Sequence, residues 1–272
     1  MHVTETKIGM LAVVGLMATV TIASAADLAY KAPLPAVVVN DWSGFYIGAH
    51  AGWGWGRDPF TEDFPPGIQA RVPGVTVSDV KSNGFVAGFH AGLNQQWSNW
   101  VGGLEIDLSG TGIKGSTSNS ATNTILLSTA TQAVSVADKF ELLGSARARL
   151  GFLATPNLLL YGTGGLAWTS FNQTTTDTRS STDILEAGHS VYSTPSWRFG
   201  WVAGVGGEAK VFDSNNWLVR LEYLHYDFGN SGSHSETATD SGGSYDPVNF
   251  TSGHLTADVV RAGLSYKFGV HM

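Results

Sequence analysis

The chain has 272 residues, a formal charge of −7, 43% hydrophobic and only 14% charged residues, and no cysteine. The acidic balance leaves no basic stripe for a nucleic-acid partner, and the absence of thiols excludes disulfide frameworks, CxxC zinc sites and thiol catalysis. A soluble domain usually carries roughly 25% charged residues, so this composition describes a surface that is not wholly in water.

Lys7 precedes an apolar run from Ile8 to Ile22, and Ala23-Ser24-Ala25 offers an A-x-A cleavage site. That pattern predicts a signal peptide over 1–25 and therefore an exported protein. The run falls short of the ~20 apolar residues of a transmembrane helix. Residues 26–42, with two prolines and no periodicity, read as an extended periplasmic linker. The barrel reading covers 43–272.

From Ser43 onward, segments of period-two alternation recur, each a half-and-half strand. The first puts Phe45, Ile47, Trp53 and Trp55 on one face and Tyr46, Gly48, His50 and Gly52 on the other. The second sets Phe85, Phe89 and Leu93 against His90, Asn94 and Gln96. The third sends Leu104, Ile106 and Leu108 one way and Glu105 and Asp107 the other. The fourth, 139–153, opposes Phe140, Leu142, Leu150 and Phe152 to Glu141, Ser145, Arg147 and Arg149. The fifth, from Leu158, is too glycine-rich to orient. The sixth separates Trp197, Phe199, Trp201 and Val205 from Arg198, Glu208 and Lys210. The seventh, WLVRLEYLHYDF, alternates around Arg220 and Glu222, but its second half is apolar on both faces, which suggests a bulge. The eighth puts Val260, Leu264, Tyr266 and Phe268 opposite Arg261, Ser265 and Lys267.

Long connections at 57–83, 115–138, 171–196 and 229–257 alternate with short turns at 98–100, 154–157 and 213–216. Strands that cross hydrocarbon must close on themselves to pair their backbone groups. The prediction is an all-β, eight-stranded, antiparallel up-and-down transmembrane β-barrel with four long extracellular loops and both termini periplasmic. A soluble lipocalin-like barrel would bury the aromatic face, leaving the charges outside.

The inward charges Glu105, Asp107, Glu141, Arg147, Arg149, Arg198, Glu208, Lys210, Arg220, Glu222, Arg261 and Lys267 form a nearly balanced set. An eight-stranded barrel is just wide enough for side chains to fill it, so this set is expected to plug the lumen as a salt-bridge network. A narrow ion or water path is the functional alternative. If Gly56 pairs with Gly84, His50 faces His90 on the inner wall. Two imidazoles are candidate ligands for metal or haem, yet without a third ligand the reading is a hydrogen-bonded interior pair. His225 and Asp227, with His254 nearby, lie near the outer rim but lack a nucleophile held against its base.

The order of ADLAYKAPLP, WSGFYIGAHAGWGWG, GFVAGFHAGLNQQW, WVGGLEIDLSG, LLLYGTGGLAW and VVRAGLSYKFG resembles the alphaproteobacterial outer-membrane surface barrels of about 25 to 31 kDa, whose fold is similar to the eight-stranded membrane barrel of OmpA. Some members of that family are described as porin-like and others as hemin-binding. The resemblance implies location in the outer membrane of a Gram-negative cell. It also implies partners among outer-membrane lipids, lipopolysaccharide, periplasmic chaperones and the outer-membrane assembly machinery, with Phe268 as the terminal aromatic of the insertion signal. Here Gly269 to Met272 extend past that aromatic, and His50 and His90 stand where the family usually has other residues. The expected role is a non-enzymatic structural barrel that anchors surface loops and supports the envelope. The alternatives are a narrow porin-like channel and a hemin-binding receptor, with hemin as the one cofactor in view.

Overall fold

The computed structural model describes residues 41–63, 79–125, 128–181, 188–212, 215–236, 239–240, 243–244 and 248–268. The predicted signal peptide, the linker up to residue 40 and the four residues after Phe268 lie outside them. Described strands are β1 Gly44–Asp58, β2 Phe60–Asp63, β3 Val80–Trp97, β4 Trp100–Thr111, β5 Lys114–Ile125 and β6 Ser128–Thr155. They continue with β7 Leu158–Ser181, β8 Gly188–Lys210, β9 Trp217–Glu236, β10 Thr239–Asp240, β11 Gly243–Ser244 and β12 Val248–Lys267.

Eight of these close a ring in the order β1, β3, β4, β6, β7, β8, β9, β12, with β12 pairing back onto β1. Every pairing around the ring is antiparallel. Chain neighbours are ring neighbours throughout, the up-and-down order that the alternation of long and short connections requires. No helix among the described residues is long and apolar enough to cross a membrane.

Alternation fixes which side chains leave the ring. Phe89, Leu104, Leu166 and Phe199 are each about two-thirds or more exposed on the outer face, the inverse of a soluble barrel. Two aromatic belts bound that apolar band. One holds Trp97, Trp100, Phe152, Trp217, Tyr266 and Phe268 at the short-turn end, with Phe45 and Phe268 stacked at 5.7 Å. The other holds Trp53, Trp55, Phe85, Trp197 and Trp201. Such girdles mark the two interfaces of a bilayer. The fifth segment, which its sequence leaves unoriented, turns Leu159 and Tyr161 inward and Leu160 and Leu166 outward.

Two expectations change. Segments 115–138 and 171–196 are not open loops: β5 ladders with the first half of β6, which ladders with β7 as far as Ser181, and β7 with β8 from Gly188. Their Ser, Thr and Val residues suit a pleated ladder, and pairing with each other satisfies their backbone groups beyond the barrel. The linker also ends earlier than residue 42, because Trp42 is fully buried.

Candidate functional site

The lumen is filled in three layers. At the short-turn end Trp42 packs on Val101, Leu159, Tyr161 and Leu218. Its backbone N–H donates to Gln96 Oε1 at 2.8 Å and its indole N–H to the Pro156 carbonyl at 3.1 Å. Lys267 Nζ donates to the Asp41 carbonyl at 2.5 Å, and Lys210 Nζ lies 5.0 Å from the indole centroid. An aromatic side chain with a satisfied N–H and a cation on its face makes a well-anchored floor.

The middle layer gathers Glu105, Asp107, Glu208 and Glu222 with Arg147, Arg149, Arg220 and Arg261, all at most 5% exposed. Arg220 Nη1 meets Glu105 Oε2 at 2.6 Å, Arg149 Nη2 meets Glu208 Oε2 at 2.5 Å, Arg261 Nη2 meets Glu222 Oε2 at 2.8 Å, and Arg261 Nη1 meets Asp107 Oδ1 at 3.0 Å. Arg147 bridges Glu105 and Asp107. Four carboxylates facing four guanidiniums cancel in net charge. Buried charge is tolerated only with such pairing. Tyr46 Oη donates to Glu105 at 2.7 Å and Tyr161 Oη to Glu222 at 2.8 Å, while the Arg149 guanidinium lies 4.0 Å from the Tyr161 ring centroid. Space for this crowd comes from inward glycines: a Cβ on Gly92 would sit 2.3 Å from Tyr46 Oη, and one on Gly48 would sit 2.4 Å from His90 Nε2.

Toward the long-hairpin end the interior becomes apolar. Val86, Ile113, Phe140, Leu143, Phe171, Val202, Leu224, Tyr226 and Phe228 form one buried cluster, with Phe140 and Phe171 edge to face at 5.1 Å. This layer accounts for the second half of WLVRLEYLHYDF without the expected bulge: Leu224, Tyr226 and Phe228 point inward and Tyr223, His225 and Asp227 outward, in unbroken register with β8 and β12 as far as Asp227.

Of the twelve charges read as inward, four stand apart from the network. Glu141 is outside, paired with Lys139 Nζ at 2.8 Å, because a bulge between Phe140 and Leu142 sends one extra residue to the outer face. Such an insertion reverses the alternation locally. Arg198 is paired in register with Thr169, and its Nε donates to Ser196 Oγ at 3.1 Å rather than to a network carboxylate. Lys210 and Lys267 lie at the floor, one or two turns of pleat below the carboxylates. Replacing the exposed Glu141 by Gln should move unfolding stability by no more than ~0.5 kcal/mol, as surface substitutions do. Urea titration of the folded barrel checks this, and a loss of several kcal/mol would place Glu141 in the network after all.

His50 and His90 do not face each other in register. Gly54, not Gly56, pairs with Gly84, so His50 meets Gly88 and His90 meets Gly48. A slip of two residues preserves the face, and the diagonal still brings the two Nδ1 atoms to 3.1 Å. Arg261 Nη1, which can only donate, lies 3.1 Å from His50 Nε2, so that nitrogen accepts. His50 Nδ1 therefore carries the proton and donates to His90 Nδ1, and His90 Nε2 donates to Ser265 Oγ at 2.8 Å. Ser109 Oγ completes the chain at 2.7 Å from His50 Nε2. The tautomers follow from the one donor that cannot change role. Neither ring keeps a lone pair for a metal or a haem iron. Among the described residues no group of three His, Cys, Asp or Glu is placed to hold a metal.

At the outer rim His225 and Asp227 face lipid-side neighbours on β12. His225 Nδ1 lies 2.8 Å from Asp258 Oδ1, which also accepts from Tyr223 Oη at 2.6 Å, and His254 Nδ1 lies 3.3 Å from Asp227 Oδ1. Among the described residues no serine or threonine hydroxyl hydrogen-bonds either imidazole, so the nucleophile and base of an acyl-transfer site are not assembled.

The match to known proteins runs the length of this architecture. The outer membrane protein beta-barrel domain family matches residues 13–268. The chain belongs to this outer-membrane β-barrel family. The 31 kDa outer-membrane immunogenic protein of Brucella melitensis is 33% identical over 259 residues, covering 91% of this chain and 94% of that protein. The 25 kDa outer-membrane immunogenic protein of Brucella abortus is 27% identical over 238 residues, with 87% and 84% covered. The crystal structure of the outer membrane protein OprG from Pseudomonas aeruginosa aligns with a TM-score of 0.42 at 13% identity, covering 84% of this chain and 97% of that one. The barrel is thus a protein of the outer membrane, of the alphaproteobacterial kind, and its exposed apolar band is the surface that meets lipid. In such barrels the short turns face the periplasm, which puts the Trp42 floor on that side.

Proposed function

We propose that this barrel is a closed, non-enzymatic anchor: it holds its long β-hairpins at the cell surface and supports the envelope through contacts with outer-membrane lipid and lipopolysaccharide. The observation that carries the reading is the stacked lumen, in which the Trp42 floor, the four-against-four charge layer and the Phe140–Phe171 apolar layer follow one another along the axis. A water or ion path through it has to cross an apolar layer and a paired-charge layer in sequence, and each carboxylate of the latter is held against a guanidinium. Against hemin binding, the two buried imidazoles among the described residues, His50 and His90, spend their lone pairs on Arg261 and on each other. Phe268, whose N–H donates to the Phe45 carbonyl at 2.8 Å, closes the ring at the seam and suits recognition by the assembly machinery, with periplasmic chaperones delivering the unfolded chain.

Planar-bilayer recording on the refolded barrel tests the reading. The expected trace stays at the bare-membrane baseline, and hemin titration leaves the Soret band where free hemin has it. Stepwise conductance would replace the anchor reading by a channel, and a saturable Soret shift would replace it by a receptor.

A further inference from the structure

Above the apolar layer two carboxylates are buried together. Asp58 on β1 is 1% exposed and Asp138 on β6 is 2% exposed. One atom joins them: Gln173 Nε2 on β7 donates to Asp58 Oδ2 at 2.9 Å and to Asp138 Oδ1 at 3.1 Å. Asp58 Oδ1 is buried and has no hydrogen-bond partner, which for a carboxylate oxygen is costly. Carbon geometry keeps that oxygen beside Oδ2, within the same small space as the amide. The position lies beyond the lipid band, since the neighbouring outward side chains are the exposed charges Arg57, Lys139 and Glu141.

We propose that Asp58, Asp138 and the side-chain amide of Gln173 form a divalent-cation site, suited to Ca²⁺, at the surface end of the lumen. Hard cations take carboxylate and amide oxygens at about 2.3–2.6 Å, and two carboxylates that share one hydrogen-bonding atom lie within reach of one such ion. With its NH₂ toward both carboxylates, Gln173 occupies the place a cation takes. A half-turn about χ3 presents Oε1 as a third ligand, because amide orientation follows the network around it. The cation also balances charge. Arg198 is the cation that acts on Asp58, and Asp79 adds a further negative field; one guanidinium offsets one of the two buried charges.

Isothermal titration of CaCl₂ into the purified full barrel, in micelles free of lipopolysaccharide at pH 8, reads this directly. One ion per barrel is expected, with a higher unfolding temperature in Ca²⁺ than in EDTA. Asp58→Asn and Asp138→Asn should each weaken binding at least tenfold, and Glu141→Gln should bind as the parent does. Gln173→Glu, which adds a third carboxylate, should tighten binding at least tenfold and serves if an Asp variant fails to fold. The proposal is overturned by either of two results: no saturable heat at pH 8, or binding unchanged in both Asp variants.

Discussion

Replacing Glu105 by Ala is expected to cost ~3–5 kcal/mol of unfolding stability, the range for removing one partner of a buried ion pair. The side chain is the hub of the middle layer: it accepts from Tyr46 Oη, Arg147 and Arg220, and Arg149 Nη1 and Arg261 Nη2 stand at 3.6 and 3.8 Å. Its loss leaves guanidiniums buried with one carboxylate too few, and none can lose its proton to escape. Equilibrium urea unfolding in lipid or detergent should show a lower midpoint with an unchanged slope. Removing a cation as well, in Glu105→Ala with Arg147→Ala, should recover part of the loss, because the charge count balances again. If Glu105→Ala stays within ~1 kcal/mol of the parent, the layer behaves as a solvated surface and the lumen is not closed by paired charge.

Trp42→Ala is the second large effect, expected at ~3–5 kcal/mol for deleting a buried aromatic. The indole is fully buried and hydrogen-bonded, and its removal also strips the ring face from Lys210. Conductance should nonetheless remain at baseline, since the two layers above the floor are untouched. A stable Trp42→Ala barrel would show that the floor is an accessory, whereas a conducting one would show that the floor alone holds the lumen shut.

The strands were legible because lipid imposes a sharp rule. Apolar residues outside and glycine or charge inside give an alternation strong enough to orient Glu105, Asp107, Arg147, Arg149, Arg220 and Arg261 from their neighbours alone. The rule fails where its premise does. At Glu141 one inserted residue reverses the alternation, and nothing in KFELLG marks the bulge. Along Leu224, Tyr226 and Phe228 the inward face is apolar while His225 and Asp227 face outward, so the rule of apolar outside and polar inside is inverted, and the buried apolar layer stays hidden until the strands are placed around a ring. Register is equally silent: His50 and His90 sit on the correct wall, but β1 pairs with β3 two residues away from the Gly56–Gly84 alignment, and a shift of two leaves every side chain on the same face. Trp42 was hidden for a different reason. It follows a proline-rich stretch with no periodicity, and the partners that bury it, Gln96, Val101, Pro156, Leu159 and Leu218, are all more than fifty positions away.

The 28-residue β6, Ser128–Thr155, has a further consequence. A tilted strand needs about 9–11 residues to cross the hydrocarbon, so more than half of β6 lies beyond it while remaining in one ladder with β7. The surface segments are therefore not flexible tethers fixed at two points. They are levers in mechanical series with the wall of the barrel: a load applied near Val134 is carried along the same hydrogen-bonded ribbon to Phe140 and Phe171, and the packing inside the lumen bears it.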